Sequence, residues 1–160
     1  MLCLLVLILL MLLNAIALLW LSFSGFNTSA GHFDPIRLHF AINAASFDKV
    51  LELIATGTDL NFAAPIGGQT PLTLSILRRN VDMAMALMAA GADVAVPEST
   101  TWHRQPIHLA SAAGNTQLVS SILQRCPELV NATDAMLFTP LHYAAIYGHV
   151  EVAELLVHSG

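Results

Sequence analysis

Histidine is both the commonest metal ligand and the side chain best suited to proton transfer near neutral pH, and this chain has seven. Three of them share a local pattern: His39, His108 and His142 each close a tetrad whose third residue is apolar (Leu38, Ile107, Leu141). If the pattern marks one position in a stack of helices, successive rings lie about 10 Å apart. Zinc holds its nitrogen ligands at about 2 Å, so rings so far apart cannot share an ion. A structural role is expected for them. His149 belongs to a Gly-His pair, while His103 and His158 have no Cys or His partner at ligand spacing. Ser75 and Ser111 are the serines that a hydrolytic triad would recruit, but both sit inside the same repeated helical stretch. No G-x-S-x-G elbow, phosphate-binding glycine loop or H-E-x-x-H is present, and Gly67-Gly68 reads as a turn. The expectation is a protein that is not an enzyme and holds neither metal nor cofactor. A net charge of −5 provides no basic face for nucleic acid.

The elements that carry these residues repeat. Thr70-Pro71-Leu72-Thr73 returns as Gln105-Pro106-Ile107-His108 and as Thr139-Pro140-Leu141-His142, with a degenerate first copy at Ile36-Arg37-Leu38-His39. Leu38, Leu72, Ile107 and Leu141 are 34, 35 and 34 residues apart. A second marker (Gly57, Gly91, Cys126, Gly160) keeps the same phase. Pro71, Pro106 and Pro140 suit the first position of a helix, where a missing N–H costs nothing. Thr70 and Thr139 suit the cap before it. A second helix follows in each copy, with apolar residues at helical spacing: Val50, Leu53 and Ile54; Met83, Leu87 and Met88; Leu118, Ile122 and Leu123; Val152, Leu155 and Leu156. Gly57, Gly91 and Gly160 stand where a left-handed cap ends it.

Thr139-Pro140-Leu141-His142-Tyr143-Ala144-Ala145, then Gly148-His149, then Leu155-Leu156, resembles the ankyrin repeat over about residues 34–160. The resemblance implies an all-α ankyrin-repeat solenoid, helix-turn-helix units with β-hairpin fingers at residues 58–69, 92–104 and 127–138. It also implies that the tetrad histidine ties turn to helix by hydrogen bonds. Repeats are expected at about 34–67, 68–102, 103–136 and 137–160, the last incomplete. Lys49 and Glu52 stand where the family prefers apolar residues, which suits a capping unit. Cys126-Pro127-Glu128 replaces the usual Gly-Ala-Asp turn, and the last copy presents an apolar flank to water.

Before the repeats lies a different kind of segment. From Leu2 to Leu21 only Asn14 is polar, and no Asp, Glu, Lys or Arg precedes Asp34. Some twenty residues span roughly 30 Å as a helix, the thickness of a bilayer's hydrocarbon core. Residues 1–23 therefore read as a hydrophobic helix that is either a transmembrane anchor or a secretory signal, with 24–33 as a linker. Trp20 suits the interface of an anchor; Ser22, Ser24 and Gly25 suit a cleavage site. Arg37 and Lys49 follow the run, so an anchor would leave the repeats in the cytoplasm; cleavage would place them outside the cell or in the periplasm. Cys3 and Cys126 build no disulfide framework, and the two glycosylation sequons at Asn27 and Asn131 match only a short pattern.

The family's binding surface consists of finger tips and the exposed side of each first helix. In phase, those positions hold Asn43, Gln69, Leu77, Arg78, Trp102, His103, Arg104, Met136, Phe138, Ile146 and Tyr147, with Leu137 beside them. Trp, Tyr and Arg most often anchor interfaces, so Trp102 and Arg104 are the expected anchors. Leu137 and Phe138 could instead fold back onto the neighbouring finger. The expected partner is a protein; no small-molecule substrate is implied, and membrane contact is assigned to residues 2–21.

Overall fold

The computed structural model describes residues 34–160. The anchor-or-signal segment 1–23 and the linker 24–33 lie outside the described residues. The described part forms four antiparallel helix pairs. First helices are α1 (Asp34–Asn43), α3 (Pro71–Leu77), α5 (Pro106–Ala112) and α7 (Pro140–Ile146). Second helices are α2 (Phe47–Ala55), α4 (Val81–Ala89), α6 (Thr116–Arg125) and α8 (Val150–Ser159). First helices pack side by side in one layer and second helices in another. Among the described residues no helix is long and apolar enough to cross a membrane.

Local chemistry explains each boundary. Thr70 Oγ1 accepts the Thr73 N–H at 3.2 Å, ahead of Pro71 at the first position of α3. Asn80 and Asn115 cap α4 and α6 by accepting from Met83 (3.1 Å) and Leu118 (2.9 Å). The seam between the layers is filled by the repeated leading residues Leu38, Leu72 and Ile107. Val50, Met83, Leu87, Leu118, Ile122 and Val152 pack on them from the second helices. Leu141, the fourth leading residue, lies on the uncovered outer flank of α7 and α8 and is exposed, as are Val150 and Val157. Lys49 and Glu52 pair at 2.7 Å on the surface of α2. At Cys126 the second helix ends without a left-handed residue. A 3-10 turn, Pro127–Asn131, tucks Leu129 into the core instead.

The fingers differ from the expected β-hairpins: among the described residues there is no strand. Each is a tight reversal closed by a main-chain bond: Ala64 N–H to Gln69 O (2.8 Å), Glu98 N–H to Arg104 O (2.9 Å), Asp134 N–H to Phe138 O (3.1 Å). Pro65 and Pro97 remove donors on two of them, and a single closing bond makes no ladder. Neighbouring fingers are nonetheless linked. Ser99 N–H donates to Gly68 O at 2.7 Å, and Ala135 N–H donates to Trp102 O at 2.9 Å.

Gly114 shows how tightly the pairs stack. It has φ +71°, and a Cβ there would lie 2.5 Å from His149 Nδ1. The His149 ring is held in place because Nε2 donates to Ala112 O at 3.0 Å, crossing from one pair to the next. Gly114→Ala combines a left-handed penalty with a clash, and should lower the unfolding free energy by about 2 kcal/mol or more. Urea denaturation checks it, and a loss below about 0.5 kcal/mol would contradict the stacking described.

Candidate partner-binding surface

The finger tips depend on side chains that reach forward from the helix before. In the first pair the His39 ring nitrogens lie 2.8 Å from the carbonyls of Pro35 and Gln69, so its ring spans from α1 to the first finger. In the third pair His108 Nδ1 accepts the Gln105 N–H (3.1 Å), while Nε2 donates to Ala132 O (3.0 Å) and Phe138 O (3.1 Å). One ring thus caps its own helix and holds the third finger. Burial holds His108 below the ordinary histidine range, against the favourable pull of those carbonyls. Protonating Nδ1 would also forfeit the Gln105 bond.

The second pair has Thr73 at this position, and its hydroxyl bonds only locally, to Thr70 O. There the finger is closed by an ion pair. Glu98 is fully buried, and Arg104 Nε donates to its Oε1 at 2.6 Å. The pairing outweighs the burial that opposes the Arg104 charge and raises its guanidinium above the usual value. Glu98 Oε2 has no protein partner, so the pair is half satisfied and fixes geometry more than it adds stability. Arg104 therefore turns its head into the finger. The third finger has a further tie. Asp134 Oδ1 accepts from the N–H groups of Met136 (2.8 Å) and Phe138 (2.9 Å), and Oδ2 accepts from the Tyr143 hydroxyl (2.6 Å). Burial works against the Asp134 charge, but the Tyr143 and main-chain donors win and set the carboxyl below its usual range. Tyr143 is pushed up to about 12 by burial, the Asp134 hydrogen bond and the Asp134 charge.

What these ties hold up is an exposed apolar row. Ile66 is 91% exposed at the first tip, Trp102 49% at the second, and Leu137 75% at the third, with Met136 exposed beside it. The bond from Ala135 to the Trp102 carbonyl joins the second and third fingers at the residue before Met136. His103 and Leu137 sit at the tips with φ +48° and +63°, in phase with Gly68 at +64°. An exposed leucine in a left-handed conformation is unfavourable twice. Phe138 packs not on the neighbouring finger but on the helix that follows its own. Its ring stacks on His142 at 5.5 Å and meets Tyr143 edge-on at 6.2 Å. Gln69 is half-buried and gives its carbonyl to His39.

A second row follows the far ends of the first helices, where Asn43, Arg78, Ala113 and Tyr147 occupy equivalent positions. Arg78 Nε and Nη2 donate to Asn43 Oδ1 at 3.0 and 2.6 Å, laying the guanidinium across α1 and α3. Leu77 is exposed beside it, and Ile146 and Tyr147 are exposed two helix pairs along. Ile66 and the buried Glu98 are the surface's two features that repeat phase alone does not single out. Ile66 is signalled only by its position against the Gly67-Gly68 turn. A groove of about 350 Å³ on the outer flank of α7 and α8 is lined by Ala144, Ala145, Gly148 and Ala153 among others. It offers few converging polar groups, so the finger tips and inner face are the candidate site.

Two stacked layers of short helix pairs, with a side chain from one pair holding the next finger, are the signature of a known fold. The family model for ankyrin repeats (3 copies) matches residues 38–125 and 94–160. The chain belongs to the ankyrin-repeat family. Ankyrin repeats are a protein–protein interaction module, typically non-catalytic. The chain is 38% identical over 105 residues to SMC5-SMC6 complex localization factor protein 1 of Bos taurus, covering 64% of this chain and 10% of that protein. It is 32% identical over 133 residues to human NF-kappa-B inhibitor alpha, covering 77% and 41%. With Gallus gallus inversin the identity is 33% over 106 residues, covering 66% and 9%. The match thus spans less than half the length of each of these relatives.

Two outcomes follow. The folded-state pKa of His108 is depressed, so the unfolded chain binds more protons below about pH 6.5 and stability is lost as pH falls through that point. His108→Gln should flatten the fall in unfolding free energy between about pH 7 and 5.5; an unchanged slope would show that His108 is not the group responsible. Leu137→Gly should raise stability by about 0.5–1 kcal/mol in denaturant melts, because relief of the left-handed strain exceeds the added chain entropy. A loss would mean that Leu137 packs usefully in the fold.

Proposed function

We propose that this protein is a membrane-tethered adaptor that holds a protein partner on its finger tips and on the exposed side of its first helices. The observation that carries the binding surface is the row Ile66, Trp102 and Leu137, exposed on fingers that are themselves tied down. Rigid tips lose little freedom when a partner docks, which favours affinity. Trp102 is the central anchor, flanked by Met136. Tyr147 and Ile146 extend the surface along the inner face, and Arg104 acts by holding the finger that presents Trp102. The tether is supported by the apolar run Leu2–Leu21. It would raise the effective concentration of partners at the same membrane, so a moderate intrinsic affinity would suffice. Arg37 and Lys49 favour repeats that face the cytoplasm. The small residues Ser22, Ser24 and Gly25 favour a second reading, in which the segment is cleaved and the repeats bind a partner outside the cytoplasm.

The paired test addresses surface and tether separately. Proteins retained by the immobilised chain should be lost when Trp102 and Tyr147 are both replaced by alanine, with binding weakened by about 2 kcal/mol or more. Retention equal to wild type would remove these residues from the interface. Alkaline carbonate extraction followed by protease treatment of sealed vesicles should leave the full-length chain in the membrane, its repeats cut only from the cytoplasmic side. A shortened, soluble and protected product would establish the cleaved form instead.

A further inference from the structure

The charges on the proposed surface are of one sign. Arg78 is exposed, and among the described residues its side-chain hydrogen bonds, from Nε and Nη2, go to the uncharged Asn43 amide, which leaves its charge uncompensated there. Arg79 follows it, exposed, with φ +56°. Among the described residues no carboxylate lies within salt-bridge distance of either. The carboxylates lie elsewhere. The second helices carry Asp48, Glu52, Asp82, Glu151 and Glu154, and the stretches after them carry Asp59, Asp93 and Glu128. Asp34 pairs with Arg37, and the two carboxylates inside fingers, Glu98 and Asp134, are buried and engaged. The inner face therefore combines the uncompensated Arg78 with an apolar row, while the opposite layer is rich in carboxylates. Ala113 follows Arg78 in its row, and Tyr147 follows Ala113.

From this arrangement we infer that the surface takes an extended, acidic peptide. One carboxylate of the peptide meets the donors of Arg78 that Asn43 leaves free, and one large apolar side chain packs on Trp102 and Met136. The inference rests on the binding surface proposed above and names the chemistry of its partner. Asn43 fixes Arg78 through two of its five N–H groups and leaves the outward donors for a carboxylate, a charge-assisted and geometrically specific contact. The spacing follows from the fold. Trp102 is one helix pair along from Arg78 and one short helix plus a finger away from its row, roughly 15–20 Å. An extended chain covers that distance in about five or six residues.

The test uses the full 160-residue chain in mild detergent and a set of fluorescein-labelled decapeptides in a Ser/Ala background. Each carries one Glu and one Leu, two to eight positions apart, with Glu→Gln, Glu→Lys and Leu→Ser counterparts. The tightest binders should be the Glu peptides with a spacing of about five or six, and the Lys counterparts should fail. Arg78→Gln keeps an amide donor for Asn43 but loses the charge. It should weaken the Glu peptides about tenfold or more and leave their Gln counterparts unchanged, while Trp102→Ala removes the dependence on Leu. If Lys and Glu peptides bind alike, or Arg78→Gln has no effect while Trp102→Ala still abolishes binding, the acidic class is wrong and the surface stands. If neither variant changes the binding of any peptide, the surface itself is wrong. Phosphatidylserine vesicles that bind wild type better than Arg78→Gln, with no peptide bound, would overturn the inference in favour of an anionic membrane.

Discussion

A side chain near the start of one helix that holds the finger after the next is the constraint on which this architecture depends. His108 does this with both ring nitrogens engaged, one accepting at its own helix start and one donating to a carbonyl thirty residues on, and His39 reaches the Gln69 carbonyl from the same position. The bond couples helix order to finger order, so that a loop of a dozen residues has a defined conformation although it makes no ladder. The second pair shows what happens when the histidine is replaced. Thr73 is too short to reach the next finger, and the buried Glu98–Arg104 pair closes that finger from within. Two chemically different solutions serve one geometric need. The ionic one is the more exacting, because removing Arg104 strands the buried Glu98 charge.

Much of the fold was legible because its signals are local. Proline at the first helical position, threonine before it, and a left-handed glycine after the second helix act within one turn of where they stand. The 34-residue phase of Leu38, Leu72, Ile107 and Leu141 then stacks those local units. The fingers were less legible. A glutamate and an arginine six residues apart in a loop look like solvated charges. Only the packing of two neighbouring helix pairs buries Glu98 and turns Arg104 inward. Phe138 is a parallel case, since its contact with His142 requires knowing that the chain doubles back at Leu137. The absence of strands has the same origin, because sequence length allows a hairpin but does not count its hydrogen bonds.

The candidate site is the part of the molecule in which the fold's preferences are overridden. Ile66, Trp102 and Leu137 expose apolar area at tips where polar residues or glycine would cost less, and His103 and Leu137 add backbone strain. Proteins commonly give up stability at surfaces that function requires. The ties beneath those tips complement this, because an exposed hydrophobe on a flexible loop would collapse onto its neighbours. Segregation of charge completes the surface. Carboxylates populate the second helices, and Arg78 marks the inner face.

Amide hydrogen exchange across the second finger, in the wild-type chain and in Glu98→Gln, tests most directly whether ties within the array hold the tips in place. The account predicts that protection of the Glu98 and Ala135 amides falls in the variant, because both bonds depend on a closed finger, while amides within α5 and α6 keep theirs. Equal protection of those amides in both proteins would contradict it. The tips would then be positioned by the helix stack alone, and the buried pair would not be what presents Trp102.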